Sequence, residues 1–311
     1  MVGSLGAGAH AHPCPREDAG GASGYRSSLE HRARAPISQP RPTPQGRHGD
    51  PLPDPVSVSS HGDYPMSRDR TRAVLFDLDD TLLDYSGGAA ACWAESCVEV
   101  AVPEGVDGAA LLAALDQARR WFWSDPERHR RERVDMVGAW GKIAALALER
   151  IGAPSEALAG RIAEDFAARR TAVERLFPDA LSTLERLRAL GLPLALLTNG
   201  DARLQRGKIA RHGLARYFDV VVIEGEFGCG KPDERIFRHA LDALGIAPVD
   251  AWMVGDNLAW DVAGARGVGA RAAWLDRERR GLPRPCPAEP DRVIHGLEAV
   301  LDLAAAAPAR R

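Results

Sequence analysis

Net charge is nearly absent from this 311-residue chain: 40 lysines and arginines against 43 acidic residues leave −3 at neutral pH. Such a balance gives no reason to expect nucleic acid or an acidic membrane surface as the main partner, although a local basic site for a small anion remains compatible with it. Cysteine is scarce as well. Cys14, Cys92, Cys97, Cys229 and Cys286 are odd in number and scattered, and no pair has the C-x-x-C spacing of a zinc or redox site. Cys92 and Cys97 are five apart and would point in different directions on a helix. Free thiols in a reducing cytosol are therefore expected, and with them a cytoplasmic location. No apolar run approaches the length of a membrane span, and the N-terminus lacks the apolar core of a secretory signal.

Residues 1–65 contain neither Phe nor Trp, yet hold ten of the 22 prolines and five of the nine histidines. Stretches such as Pro36-Ile37-Ser38-Gln39-Pro40 follow no helix or strand period. A segment of this kind cannot bury enough apolar surface to offset the entropy of ordering it. It is expected to be disordered and dispensable. Met66 stands at the composition break and would make a sensible true start, with residues 1–65 then lying outside the natural protein.

Beyond that break the pattern is clear. Ala73-Val74-Leu75-Phe76 is a short apolar run that stops at an acidic cluster, as a buried parallel strand with a polar tip does. Residues 88–176 read as helical throughout, near 88–101, 107–123, 128–151 and 155–176. Within them Met136, Trp140, Ile143, Ala147 and Ile151 keep the three-or-four spacing of an amphipathic helix. From residue 177 strands and helices alternate. Strands are expected at 194–197, 219–223, 251–254 and 272–275, and helices at 178–190, 201–213, 232–244 and 258–266. This order implies an α/β fold: a doubly wound parallel sheet formed by residues 72–87 and 177–303, with an all-helical domain inserted at 88–176.

In such sheets ligands bind beyond the carboxyl ends of the strands. Those ends carry Asp77-Leu78-Asp79-Asp80-Thr81, then Leu197-Thr198-Asn199-Gly200, then Gly230-Lys231-Pro232-Asp233, then Gly255-Asp256-Asn257 followed by Asp261. Carboxylates, a hydroxyl and a lysine thus converge on one edge. Each motif alone is weak; four in order, each at a strand tip, form a strong signal.

On these motifs the chain resembles the haloacid dehalogenase-like superfamily, in its phosphatase branch with a helical cap inserted after the first strand. The resemblance covers residues 73 to about 300 and implies a magnesium-dependent hydrolysis of a small phosphorylated metabolite. A phosphate dianion repels anionic nucleophiles, and a carboxylate can attack it if a divalent metal shields the charge. The resemblance assigns this nucleophile to Asp77 and the general acid–base to Asp79. It implies magnesium ligands from the Asp77 carboxylate, the Asp79 carbonyl and the Asp256 carboxylate, with Asp261 holding metal waters or Lys231. Thr198 is expected to donate its hydroxyl to a phosphate oxygen. The turn at Asn199 and Gly200 should offer backbone N–H groups, and Lys231 positive charge.

The helical insert should close over the site and choose the substrate. Trp121-Phe122-Trp123 and the basic stretch Arg128–Arg133 stand out in it, but aromatics in a small bundle more often pack its core and charge runs more often face solvent. None of these residues is assigned to the site. Two other readings stay open: a phosphomutase on the same scaffold, and a non-catalytic binding or regulatory module. A dehalogenase would lack the second aspartate, so Asp79 argues against that chemistry.

Overall fold

A computed structural model of the chain describes residues 71–305; the N-terminal segment 1–65 and Met66 lie outside the described residues. The described part opens with strand β1 (Ala73–Phe76) and a short strand β2 (Leu83–Asp84). Five helices follow: α1 (Ala89–Ser96), α2 (Gly108–Ser124), α3 (Pro126–Glu132), α4 (Met136–Arg150) and α5 (Glu156–Val173). Strand β3 (Arg175–Leu176) then leads into α6 (Ala180–Ala189), β4 (Leu194–Thr198), α7 (Ala202–Arg211), β5 (Val220–Ile223), α8 (Glu224–Phe227) and α9 (Glu234–Leu244). The described part closes with β6 (Ala251–Gly255), α10 (Ala263–Gly267), β7 (Arg271–Leu275), β8 (Arg292–Ile294) and α11 (Val300–Ala305).

Six strands form one parallel sheet in the order β5-β4-β1-β6-β7-β8. The chain therefore builds outward from β1 in both directions, and the crevice at the end of β1 is the switch point where ligands bind in such sheets. Side chains alternate across each strand. Val74, Phe76, Leu194, Leu196, Trp252 and Val254 enter one apolar cluster, whereas Ala73, Leu75, Ala195, Leu197, Ala251 and Met253 enter another. Both faces are buried, which is why these strands read as unbroken apolar runs.

The five helices between β2 and β3 have a separate apolar cluster of their own. Trp93 stacks on Phe166 at 3.8 Å, and Trp140 meets the same ring edge-on at 4.9 Å. β2 and β3 pair antiparallel, Leu83 with Leu176 and Asp84 with Arg175, so the chain leaves and re-enters the sheet region at one point. Arg170 of α5 ties this crossing down: it is buried and donates to the carbonyls of Gly87 and Tyr85.

The helix expected over 128–151 is two helices. Asp125 and Asp135 each cap a helix start, accepting from the N–H of Arg128 at 2.6 Å and of Gly138 at 3.1 Å. A second cap of this kind inside an apparently continuous pattern restarts the helix. The break puts Arg133 off the helix face and into the interior. Similarly, the element expected at 258–266 begins as a π-helical turn, Leu258–Val262, before α10.

Candidate active site

The turn after β1 is held by its own backbone and by Asp80. Leu82 and Leu83 both donate to the Leu78 carbonyl, at 2.9 and 3.0 Å. Asp80 takes a positive φ of 60°, unusual for a residue with a side chain. Its carboxylate compensates by accepting from the N–H groups of Tyr85 and Ser86 at 3.1 and 2.6 Å, and from the Ser86 hydroxyl at 2.6 Å. This folded turn presents Asp77 and Asp79 to the same crevice.

Asp77 is buried. Lys231 Nζ donates to its Oδ1 at 2.6 Å and the Thr81 hydroxyl to its Oδ2 at 3.1 Å. Lys231 also lies 2.6 Å from Asp261 Oδ1. Burial pushes Asp77 up to about 7, although Lys231 pulls the other way. Asp256 is pushed up to about 9 by burial and by repulsion from Asp77 and Asp261. Burial alone would lower Lys231, but Asp261 and Asp77 outweigh it and hold the ammonium above its ordinary value. One lysine thus faces three carboxylates. Ligand oxygens of Asp77, Asp256 and Asp261 lie within 4.8 Å of one another, an all-oxygen donor set suited to a hard divalent cation.

Asp79 sits in a different environment. Lys208 Nζ contacts both of its oxygens at 2.8 Å, and Gln205 Nε2 donates to Oδ2 at 2.9 Å while also reaching Thr198 Oγ1. Lys208 is buried, and its ammonium rests on the Tyr85 ring at 3.8 Å. Burial tends to lower Lys208; Asp79 and Tyr85 reverse this and hold it above its ordinary value. Gln205 and Lys208 stand three apart on α7, on the face turned to the sheet edge.

The Lys231 loop is clamped to the end of β4. Asn199 and Lys231 exchange two hydrogen bonds: Lys231 N donates to Asn199 Oδ1 at 2.7 Å, and Asn199 Nδ2 to the Lys231 carbonyl at 2.9 Å. Asn199 therefore uses its side chain to position the lysine. Gly200 departs from the expected role of anion binder, because its N–H already donates to Glu224 Oε2 at 2.8 Å. The glycine is needed all the same: its φ is 113°.

Arg133 lines the same crevice and pairs with Glu224. Arg133 donates to Glu224 Oε1 from Nε at 3.0 Å and from an Nη at 2.7 Å, with both side chains buried. The pair joins the helical insert to the core. Arg133→Ala should lower unfolding stability by about 3–5 kcal/mol, because it strands a buried carboxylate. A denaturant titration checks this, and a change within the usual scatter of a surface mutation would show that the pair is not structurally important.

Thr81, Gln205, Lys208, Glu224 and Arg133 are absent from the sequence-derived set. Thr81, four residues after Asp77 in the same acidic cluster, was a readable signal, whereas the contacts of Gln205 and Lys208 with Asp79 are made across more than a hundred residues. Arg133 lay inside the basic stretch and was indistinguishable there from its solvated neighbours. Gly255 carries a further constraint: a Cβ there would lie 2.2 Å from Asp261 Oδ2. Gly255→Ala is expected to displace Asp261 from Lys231 and to cost about 1–3 kcal/mol by overpacking. A crystal structure of the variant with Asp261 unmoved would refute this.

Residues 71–269 match the model of the haloacid dehalogenase-like hydrolases. The chain belongs to this family. Its relatives include the phosphoserine phosphatase of Thermus thermophilus, 37% identical over 250 residues, 74% of this chain and 97% of that protein. The glyceraldehyde 3-phosphate phosphatase of Methanopyrus kandleri is 31% identical over 243 residues, 75% and 98% of the two chains. Among solved structures of haloacid dehalogenase-like proteins, the 2-haloacid dehalogenase of Pseudomonas syringae is 30% identical. It covers 76% of this chain and 98% of its own, with a TM-score of 0.54.

Proposed function

We propose that the protein is a magnesium-dependent phosphatase that hydrolyses a small phosphate monoester through a phosphorylated Asp77. The observation that carries this reading is the separation of two neighbouring carboxylates into different environments. Asp77 is held by Lys231 and Thr81, and Asp79 by Lys208 and Gln205. Divergent surroundings are how paired carboxylates acquire different tasks.

In the proposed reaction an Asp77 oxygen attacks phosphorus and the bond to the leaving oxygen breaks. Asp79 gives that oxygen a proton. A water then attacks phosphorus and loses its proton to Asp79, the phosphorus–Asp77 bond breaks, and phosphate leaves. Lys231 orients the nucleophile and offsets its charge, as Thr198 and the Lys231 loop border the transferring group. Asp77, Asp256 and the Asp79 carbonyl would hold magnesium, with Asp261 beside them. The cation would supply shielding between nucleophile and phosphate. Helices α1–α5 act as the cap over this chamber, which has a volume of about 340 Å3 and suits a small metabolite.

The likeness to a dehalogenase favours attack on carbon as a second reading. Asp79, so placed, has no task in that chemistry. The four described cysteines are unpaired, which supports a reducing, cytoplasmic setting. Among the described residues no helix is long and apolar enough to cross a membrane. A panel of phosphate monoesters with magnesium tests the proposal by release of inorganic phosphate. Hydrolysis of none of them, p-nitrophenyl phosphate included, would sink it.

A further inference from the structure

The chamber beyond Asp77 combines two features that constrain what can sit there. Its roof and one side form an aromatic wall: His129 lies between Trp123 and Trp260, with ring centroids 4.9 and 5.0 Å away. Trp123 and His129 come from the helical insert and Trp260 from the turn after β6. Burial and the neighbouring Arg133 lower the His129 pKa, which keeps this wall uncharged at neutral pH.

The second feature is the charge around that wall. Three full cations line the chamber, and each is already engaged. Arg133 is bound to Glu224 at 2.7 Å, Lys208 to Asp79 at 2.8 Å, and Lys231 to Asp77 and Asp261 at 2.6 Å. Six aspartates line the same space: Asp77, Asp79, Asp80, Asp201, Asp256 and Asp261. Acidic side chains outnumber basic ones there by six to three. A carboxylate on the leaving group would find no open cationic partner among these residues. It would be desolvated against aromatic faces and repelled by the aspartates.

We propose that the leaving group accepted here is uncharged and carries a ring that packs on the Trp123–His129–Trp260 wall, as in a sugar phosphate or a nucleoside monophosphate. Leaving groups bearing a carboxylate are turned away. This rests on the phosphatase reading above and narrows it. It also separates this chain from what the name of its Thermus relative would suggest.

The test compares kcat/KM values of the full-length protein with magnesium. Hexose 6-phosphates and nucleoside 5′-monophosphates form the ring arms and distinguish the two sources of a ring. Glycerol 3-phosphate is the ringless uncharged arm, and phosphoserine and 3-phosphoglycerate are the carboxylate arm. At least one ring substrate should exceed both carboxylate substrates by about tenfold or more. Trp123→Ala should lower the ratio of the best ring substrate to glycerol 3-phosphate by about tenfold, and Trp123→Phe should largely preserve it. Phosphoserine or 3-phosphoglycerate matching the best ring substrate would overturn the exclusion of carboxylates. Glycerol 3-phosphate outrunning every ring substrate, or an unchanged ratio in Trp123→Ala, would overturn the role of the wall. Either result leaves phosphatase activity standing, whereas no hydrolysis in any arm, with p-nitrophenyl phosphate also inert, strikes the underlying reading itself.

Discussion

Asp77→Asn is expected to reduce turnover of every phosphate monoester to background, a loss on the order of a million-fold if the side chain is the nucleophile. The carboxamide keeps the size of the group. It can still accept from the Thr81 hydroxyl, which now donates to Asp77 Oδ2 at 3.1 Å. It cannot accept a phosphoryl group to form the acyl-phosphate. The loss should fall on kcat, because the site around it is built from other residues: Lys231 is anchored through Asn199 and Asp261 as well as Asp77. Lys231 would lose one of its two anionic partners, so a modest change in stability is also expected. Steady-state kinetics on an alkyl and an aryl phosphate provide the check. Residual turnover within a hundredfold of the parent would mean that another group takes the phosphoryl.

Chelation of divalent metal is expected to have an effect of similar size. Asp77, Asp256 and Asp261 converge around a single lysine, and burial with mutual repulsion pushes Asp77 to about 7 and Asp256 to about 9. A phosphate dianion brought into that cluster adds to the repulsion. A chelator should abolish turnover and added magnesium should restore it. Calcium should restore it poorly, since its larger and more variable oxygen shell suits a compact site less well. Magnesium should also raise the melting temperature, because a ligand of the native state stabilises it by mass action. Full activity in chelator would refute the metal assignment.

The parts of this architecture that the sequence exposed are those with a strong local signature. Buried parallel strands read as apolar runs, and the change from polar to apolar at Phe76–Asp77 and Leu197–Thr198 marks their tips. From there the topology alone brings Asp77, Asp79, Thr198, Lys231, Asp256 and Asp261 to one edge. β2 and β3 escaped notice because a pair of two-residue strands has no period to detect. β8 did too; only three residues long, it lies on the outer edge with Arg292 and Val293 exposed.

Partnerships across the chain were the harder part. Gly200 looked like an anion-binding amide because a glycine after a strand often is one, yet Glu224, 24 positions on, takes that N–H. Arg133 carries the same charge as Arg130 and Arg131, and only the break between α3 and α4 turns it inward toward Glu224. Lys208 follows the same logic. On a helix rich in basic residues nothing local distinguishes it from Arg203, Arg206 or Arg211, and its burial against Asp79 depends on how α7 packs on the turn after β1.

The division of labour between Asp77 and Asp79 is most directly tested by trapping the intermediate. In Asp79→Asn the proposed nucleophile remains while the proposed acid–base is gone. An alkyl phosphate, whose leaving oxygen needs a proton, should react about a hundred- to ten-thousand-fold more slowly. An activated aryl phosphate should still phosphorylate the enzyme, and slow hydrolysis should let the acyl-phosphate accumulate. Rapid acid quench, intact-mass analysis and peptide mapping should then find one added phosphoryl group on Asp77 in Asp79→Asn and none in Asp77→Asn. A phosphoryl group on Asp77→Asn, or an Asp79→Asn enzyme as active as the parent on an alkyl phosphate, would contradict the account.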